Sequence, residues 1–163
     1  MRAVSAPVFD EVAPLCEHIA SVGATRVVLA NGCFDPLHVG HVRYLEDARN
    51  HGDFLVVALN NDDSTRRLKG EGRPVVKAAD RAQLLGALAV VDAVLVFGAD
   101  NVEAILAALR PAVHAKGTDY TPATVPERAA AERLGIRTVI AGDAKAHASR
   151  DIVARVRRGD SSS

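Results

Sequence analysis

Short apolar runs alternate along the chain with stretches in which apolar residues recur every three or four positions, the signature of strands followed by helices. Residues 7–22 carry Val8, Val12, Leu15, Ile19 and Val22 at helical intervals and stop at Gly23, which predicts a lead-in helix within residues 1–24. The aliphatic run 26–30 breaks at Asn31-Gly32, after which Val42, Leu45 and Ala48 mark one face of a helix. Residues 54–59 are apolar without interruption, as expected of a strand buried on both faces of a parallel sheet.

The alternation continues downstream. Asp80-Arg81 opens a helix through Leu84, Leu85 and Leu88, and residues 91–97 predict the next strand. Asp100-Asn101 caps a helix carrying Val102, Ile105, Leu106 and Leu109, which Pro111 ends. A short strand over 111–115, a helix from Pro126 to Leu134 stopped by Gly135, and a strand over 136–140 follow. A last helix starts near residues 148–150 and runs through Ile152, Val153 and Val156, leaving 157–163 as a frayed, disordered tail. The pattern predicts one domain over 1–163, of α/β class: a Rossmann-like, doubly wound parallel sheet of about five strands with helices on both faces.

Ligands of such sheets bind at the carboxyl ends of the strands, so the turn after residue 30 and Asn60-Asn61-Asp62 are expected on one rim. Residues 64–74, basic and punctuated by glycine, lack a period; they predict a loop, either solvated or a mobile flap whose cations close over phosphates.

The turn after residue 30 carries the strongest chemistry. Pro36 forbids an early helix start, which places His38-Val39-Gly40-His41 at the first helical turn. Unpaired N–H groups and a partial positive charge there attract phosphate oxygens, and Gly40 lets a ligand approach the backbone. His38 and His41, three apart, lie on one side and can both donate to one phosphate. Spacing alone also fits an ordinary surface pair or a metal-compatible one.

Composition narrows the classes. The 163 residues hold 20 Lys+Arg against 20 Asp+Glu, so no global field favours nucleic acid, and none is expected as a partner. Cys16 and Cys33 are too few for a disulfide framework, and Cys33 is expected to be a small buried residue rather than a nucleophile. No apolar run approaches membrane-spanning length and the N-terminus lacks a signal-peptide pattern, which predicts a cytoplasmic protein without a membrane partner.

Gly32, Phe34, Asp35, His38, Gly40 and His41 together resemble the G-x-F-D-x-x-H-x-G-H signature of the nucleotidyltransferases related to class I aminoacyl-tRNA synthetases. The synthetases themselves are not expected, since 163 residues leave no room for anticodon-binding modules. The stretch 59–75 is similar to the corresponding stretch of D-glycero-β-D-manno-heptose 1-phosphate adenylyltransferases, and Lys116-Gly117-Thr118-Asp119-Tyr120 resembles their V-K-G-G-D-Y turn, with Thr118 replacing a glycine.

The resemblance covers about residues 27–156. It implies the HIGH-superfamily nucleotidyltransferase fold and transfer of AMP from ATP to a sugar 1-phosphate, most directly D-glycero-D-manno-heptose 1-phosphate, releasing pyrophosphate. It implies His38, His41 and Lys69 as catalytic residues. Gly32, Cys33, Phe34, Asp35, Gly40, Lys116, Gly117, Asp119, Ser149 and Arg150 would join the histidines in binding nucleotide. Asn60, Asp62, Lys69, Arg73, Arg81 and Tyr120 would bind the sugar phosphate. Mg²⁺ is expected through the ATP phosphates, with Asp35 or Asp119 the candidate protein ligands. A homodimer and a sugar kinase on a separate polypeptide are further expectations.

The family's G-x-S-T-T stretch before the last helix is reduced here to Ser149, with Arg150 offering a guanidinium in place of lost hydroxyls. Related cytidylyltransferases carry an arginine where this chain has Asp143, which favours ATP over CTP. A cytidylyltransferase acting on glycerol 3-phosphate or a similar alcohol phosphate, and a non-catalytic nucleotide-binding subunit, are the alternatives.

Overall fold

Seven consecutive buried residues, Phe54–Asn60, form the strand on which the fold is built. A computed structural model describes residues 4–143 and 149–159, with the side chains of 149 and 150 outside the description. Its elements in chain order are β1 (Val8–Phe9), α1 (Val12–Ser21), β2 (Val27–Gly32), α2 (Val39–Arg49), β3 (Phe54–Asn60), α3 (Asp62–Lys69) and α4 (Ala78–Gly86). Then come β4 (Ala93–Phe97), α5 (Glu103–Leu109), β5 (Val113–Gly117), α6 (Arg128–Arg133), β6 (Arg137–Ala141) and α7 (Ser149–Arg158).

The six strands form one parallel sheet in the order β1-β4-β3-β2-β5-β6. Five are the expected ones. The sixth, β1, comes from residues assigned to the lead-in helix: Val8 and Phe9 pair with Val94 and Leu95, and the helix begins only at Val12. Two residues of edge strand are too short to imprint a period on the sequence, so Val8 passed as a helical position.

Winding starts at β2, proceeds outward through β3 and β4, and resumes on the other side of β2 with β5 and β6. The reversal lies between β2 and β5, where Ala30 pairs with Ala115, and such a reversal opens a crevice at the carboxyl ends. One face of the sheet packs through Val28, Leu55, Val57 and Val94 against Tyr44 and Leu45 of α2 and Leu85 of α4. The other packs through Leu29, Val56, Ala58 and Leu95 against Leu15 of α1, Leu106 of α5 and Ala131 of α6. Fully burying each large aliphatic contributes about 1.5–3 kcal/mol, so these two layers hold the crevice rigid.

Two further expectations change. Residues 62–69 are helix rather than loop: Asn61 caps α3 by accepting from the Ser64 amide at 2.9 Å, and Asp62 and Asp63 sit in its first turn with Arg66, Arg67 and Lys69 in its last, a charge order that suits the helix dipole. That stabilisation is electrostatic, and a search for apolar periodicity does not see it. The last helix stays regular through Arg158, past the expected start of the frayed tail. Among the described residues no helix is long and apolar enough to cross a membrane.

Candidate active site

The site begins where β2 ends. A Cβ on Gly32 would stand 3.2 Å from the Phe34 ring, so the glycine lets that ring close over the strand end. Phe34 itself adopts φ of 48°, unusual for a residue with a side chain. Its buried ring, stacked on Tyr44 at 6.3 Å between centroids and 5.0 Å from His41, holds it there.

His38 is the N-cap of α2. Its Nδ1 accepts from the Gly40 amide at 3.0 Å, while His41 Nδ1 accepts from the His38 amide at 3.3 Å. A backbone amide can only donate, so each neutral ring carries its proton on Nε2. The rings stack at 3.9 Å with 29° between planes. Burial, then the charges of His38 and Lys69, push His41 down to about 3, with Asp119 pulling the other way. At neutral pH His41 is therefore an uncharged N–H donor, and the same interactions bring Lys69 and Asp119 electrostatically to its side.

Asp35, 1 % exposed, faces inward. One of its oxygens accepts from Arg73 Nε at 2.8 Å and the Val75 amide at 2.7 Å; the other accepts from the Val76 amide at 2.8 Å. Arg73 also donates to the Asp35 carbonyl. Burial alone would raise the Asp35 carboxyl, but these donors and the Arg73 charge outweigh it and hold it below its ordinary value. The carboxylate is thus spent on docking residues 73–76 against the turn, and it does not fit the role of metal ligand.

Arg81 is buried as deeply. Its guanidinium donates to the carbonyls of Val76, Cys33 and Asn60 at 2.7, 2.6 and 2.8 Å and to Asp62 at 2.8 Å. Asp62 also accepts from the Ala78 amide. Arg73 and Arg81 were expected to hold phosphates; the structure corrects this, because both guanidiniums are committed to the protein and tie the ends of β2 and β3 to the start of α4. Asn60, 3 % exposed, bonds Ser64 and the Ala99 carbonyl, and Cys33 is buried as expected. Lys69, by contrast, stands exposed at the end of α3.

The opposite wall comes from β5. Lys116 is buried, its Nζ 4.5 Å above the Tyr120 ring and 3.8 Å from Glu127 Oε2. Burial lowers the Lys116 pKa, with Glu127 opposing. Gly117 closes the strand, and Asp119 is exposed. Thr118, which departs from the glycine of the resembling turn, donates to the Asp143 carbonyl at 2.7 Å. Asp143 also pairs with Arg43 of α2 at 3.2 Å, and Asp47 of α2 accepts from the Gly142 amide at 2.8 Å.

Sequence reasoning missed Glu127, Arg43, Asp47 and Asn31. Glu127 carried a weak signal, a carboxylate just after the helix-opening Pro126; Asn31 read only as the break that ends the strand, and nothing in the pattern singles out Arg43 or Asp47. The stretch before α7 and the side chains of Ser149 and Arg150, expected to hold nucleotide phosphates, lie outside the described residues. Among the described residues no three His, Cys, Asp or Glu side chains group to hold a metal ion.

A family model described as Cytidylyltransferase-like matches residues 29–161. The chain is 46% identical over 131 residues to the bifunctional protein HldE of Pelobacter propionicus, covering 80% of this chain and 27% of the relative. It is 45% identical over 159 residues to the bifunctional protein HldE of Streptomyces coelicolor, covering 97% of this chain and 34% of that one. The chain thus spans about a quarter to a third of these relatives.

Among solved structures, a lipopolysaccharide core biosynthesis protein from Thermoplasma volcanium superposes with TM-score 0.62 at 27% identity, covering 76% of this chain and 100% of that one. Pantothenate synthetase from Thermus thermophilus superposes with TM-score 0.65 at 18% identity over 90% of this chain and 67% of that one, a likeness of fold.

Proposed function

The chain belongs to the cytidylyltransferase-like family, and on that premise we propose that it transfers AMP from ATP to a sugar 1-phosphate, releasing pyrophosphate. The observation that carries this reading is the pair of Nδ1 atoms held by backbone amides, which puts two neutral Nε2–H donors side by side at the start of α2.

A sugar 1-phosphate is ionised near neutral pH, so its oxygen attacks the α-phosphorus of ATP without a general base. The new bond joins that oxygen to the α-phosphorus as the bond from the α-phosphorus to the bridging oxygen breaks, and pyrophosphate departs in line. The protein supplies position and charge stabilisation. His38 and His41 donate to the α-phosphate and bridging oxygens, where negative charge grows, with the amides of the α2 N-terminus behind them. Lys69 attracts the outer phosphates. Asp35, Arg73 and Arg81 keep the turn that carries the histidines in register. Oxygens of the triphosphate itself would hold Mg²⁺, which would supply charge neutralisation there, since the Asp35 carboxylate is already committed to Arg73 and the Val75 and Val76 amides.

ATP is favoured over CTP because Asp143, the position of an arginine in related cytidylyltransferases, here pairs with Arg43 and offers no cation. The resemblance of residues 59–75 to heptose 1-phosphate adenylyltransferases favours a heptose 1-phosphate as acceptor. A turnover panel crossing ATP and CTP with sugar 1-phosphates and glycerol 3-phosphate, in the presence of Mg²⁺, tests the reading. Pyrophosphate release is expected with ATP and a heptose 1-phosphate; silence with every acceptor would reject it, and preference for CTP and glycerol 3-phosphate would move the protein to the cytidylyltransferase alternative. A cytoplasmic homodimer completes the proposal, and sedimentation of the purified protein checks the dimer.

A further inference from the structure

On the face of the sheet that packs against α1, α5 and α6, β2, β3 and β4 supply Leu29, Val56, Ala58 and Leu95. β5 supplies His114 and Lys116 instead, its apolar Val113 and Ala115 facing the other way. Both polar side chains are buried. His114 Nε2 lies 2.9 Å from Asn31 Oδ1, an acceptor, so Nε2 carries the proton and Nδ1 is left with a lone pair. Among the described residues His114 Nδ1 has no hydrogen-bond partner, and neither has Glu127 Oε2, whose residue is 3 % exposed. The Lys116 ammonium, 3.8 Å from that oxygen, stands beyond hydrogen-bond distance.

We infer that these residues form a hydroxyl-binding subsite, in which Lys116, Tyr120 and Glu127, backed by His114 and Asn31, take a hydroxyl pair of a sugar ring. Buried polar groups left unmet are rare in folded proteins, and the chemistry of this set selects what meets them. A phosphate oxygen only accepts and is repelled by the Glu127 carboxylate. An ammonium only donates and is repelled by Lys116. A hydroxyl donates to Glu127 Oε2 or His114 Nδ1 while accepting from Lys116 Nζ, so it satisfies both signs at once. The half-buried Tyr120 ring, already covering the ammonium, offers an apolar face for the C–H edge of a sugar. The subsite lies at the carboxyl end of β5, beside the end of β2 that leads into the histidines.

The inference rests on the proposed nucleotidyl transfer, and two ring sources share its chemistry: the ribose of the nucleotide and the sugar of the acceptor. The test is a cycle between hydroxyl and carboxylate. Wild type and Glu127→Gln are compared for calorimetric binding of ATP, 2′-deoxy-ATP and 3′-deoxy-ATP, and for kcat/KM with a sugar 1-phosphate and its monodeoxy analogues. In wild type one deoxy analogue is expected to lose about tenfold or more, because a site built for a hydroxyl rejects its absence. In Glu127→Gln that loss is expected to shrink to less than about threefold, and the arm in which this happens names the ring.

A loss of equal size in both proteins, or no loss with any analogue, overturns the inference; the second result would mean a trapped water only. Should wild type turn over no sugar 1-phosphate, the functional reading fails, while the ribose arm, read by binding, still decides the subsite. If Glu127→Gln does not fold, Lys116→Gln/Glu127→Gln removes both buried charges together, and the same collapse is expected of it.

Discussion

The turn after β2 and the segment after β3 face one rim and are both rich in polar side chains, yet they spend them in opposite ways. In the turn, backbone amides occupy the inner nitrogen of each histidine and so fix the outer one as a donor. In the following segment, carbonyls and carboxylates take up the guanidiniums of Arg73 and Arg81. What decides whether a polar group does chemistry or holds the framework is how much of its hydrogen-bonding capacity the protein itself consumes. By that measure the histidines suit the proposed reaction and the buried arginines its support, while Arg66, Arg67 and Lys69 of the second region stand exposed.

Four measurements break or sharpen this division. The largest effect is expected from Arg81→Leu, which leaves the Cys33 and Asn60 carbonyls unmet and should cost roughly 3–5 kcal/mol of stability in urea unfolding. A stable but inactive Arg81→Leu protein would move this arginine back among the substrate ligands. His41→Ala should do the reverse: kcat falls by about 3 kcal/mol of transition-state stabilisation, a hundredfold or more, while ATP affinity and unfolding midpoint change far less. Equal losses in kcat and ATP binding would make the ring a binding group only.

Third comes pH. His41 and His114 titrate at about 3 when folded, chiefly through burial, against an ordinary 6.5. The unfolded chain therefore takes up protons below 6.5 that the folded chain refuses, and stability drops as pH falls from 6.5 toward 3. Asp35 adds a separate loss at lower pH: its folded value lies below the ordinary 3.8, so its contribution is full above that value and disappears as pH falls through the folded one. Replacing His114 by Gln should flatten the upper part of the slope, read from urea midpoints across the range, and the kcat profile should show no titration of His41 near 6.5. The smallest effect is expected from Asp100→Asn, which removes an exposed pair with Arg67, 57 % and 51 % accessible. It should cost less than about 1 kcal/mol and leave turnover unchanged.

The sequence by itself determined the alternation of strands and helices, the rim, and the histidine turn, because those signals are local: a buried strand is a run of aliphatics, and a helix start is a proline, a cap and a spacing. His38 and His41 were legible because the backbone that orients them lies within four residues. Only the tertiary structure decided which cations the protein's own groups take up. Arg81 meets Cys33 and Asn60 from 48 and 21 residues away, and Arg73 meets Asp35 from 38 away, distances at which no pattern in the chain reports a contact. The same holds for β1, whose two residues are a strand only because β4 lies beside them, and for Glu127, whose neighbour Lys116 arrives on a strand that the sheet brings across from β2. A side chain's type is written in the sequence, but the share of its bonding capacity that other segments take is set by folding, and that share assigns its role.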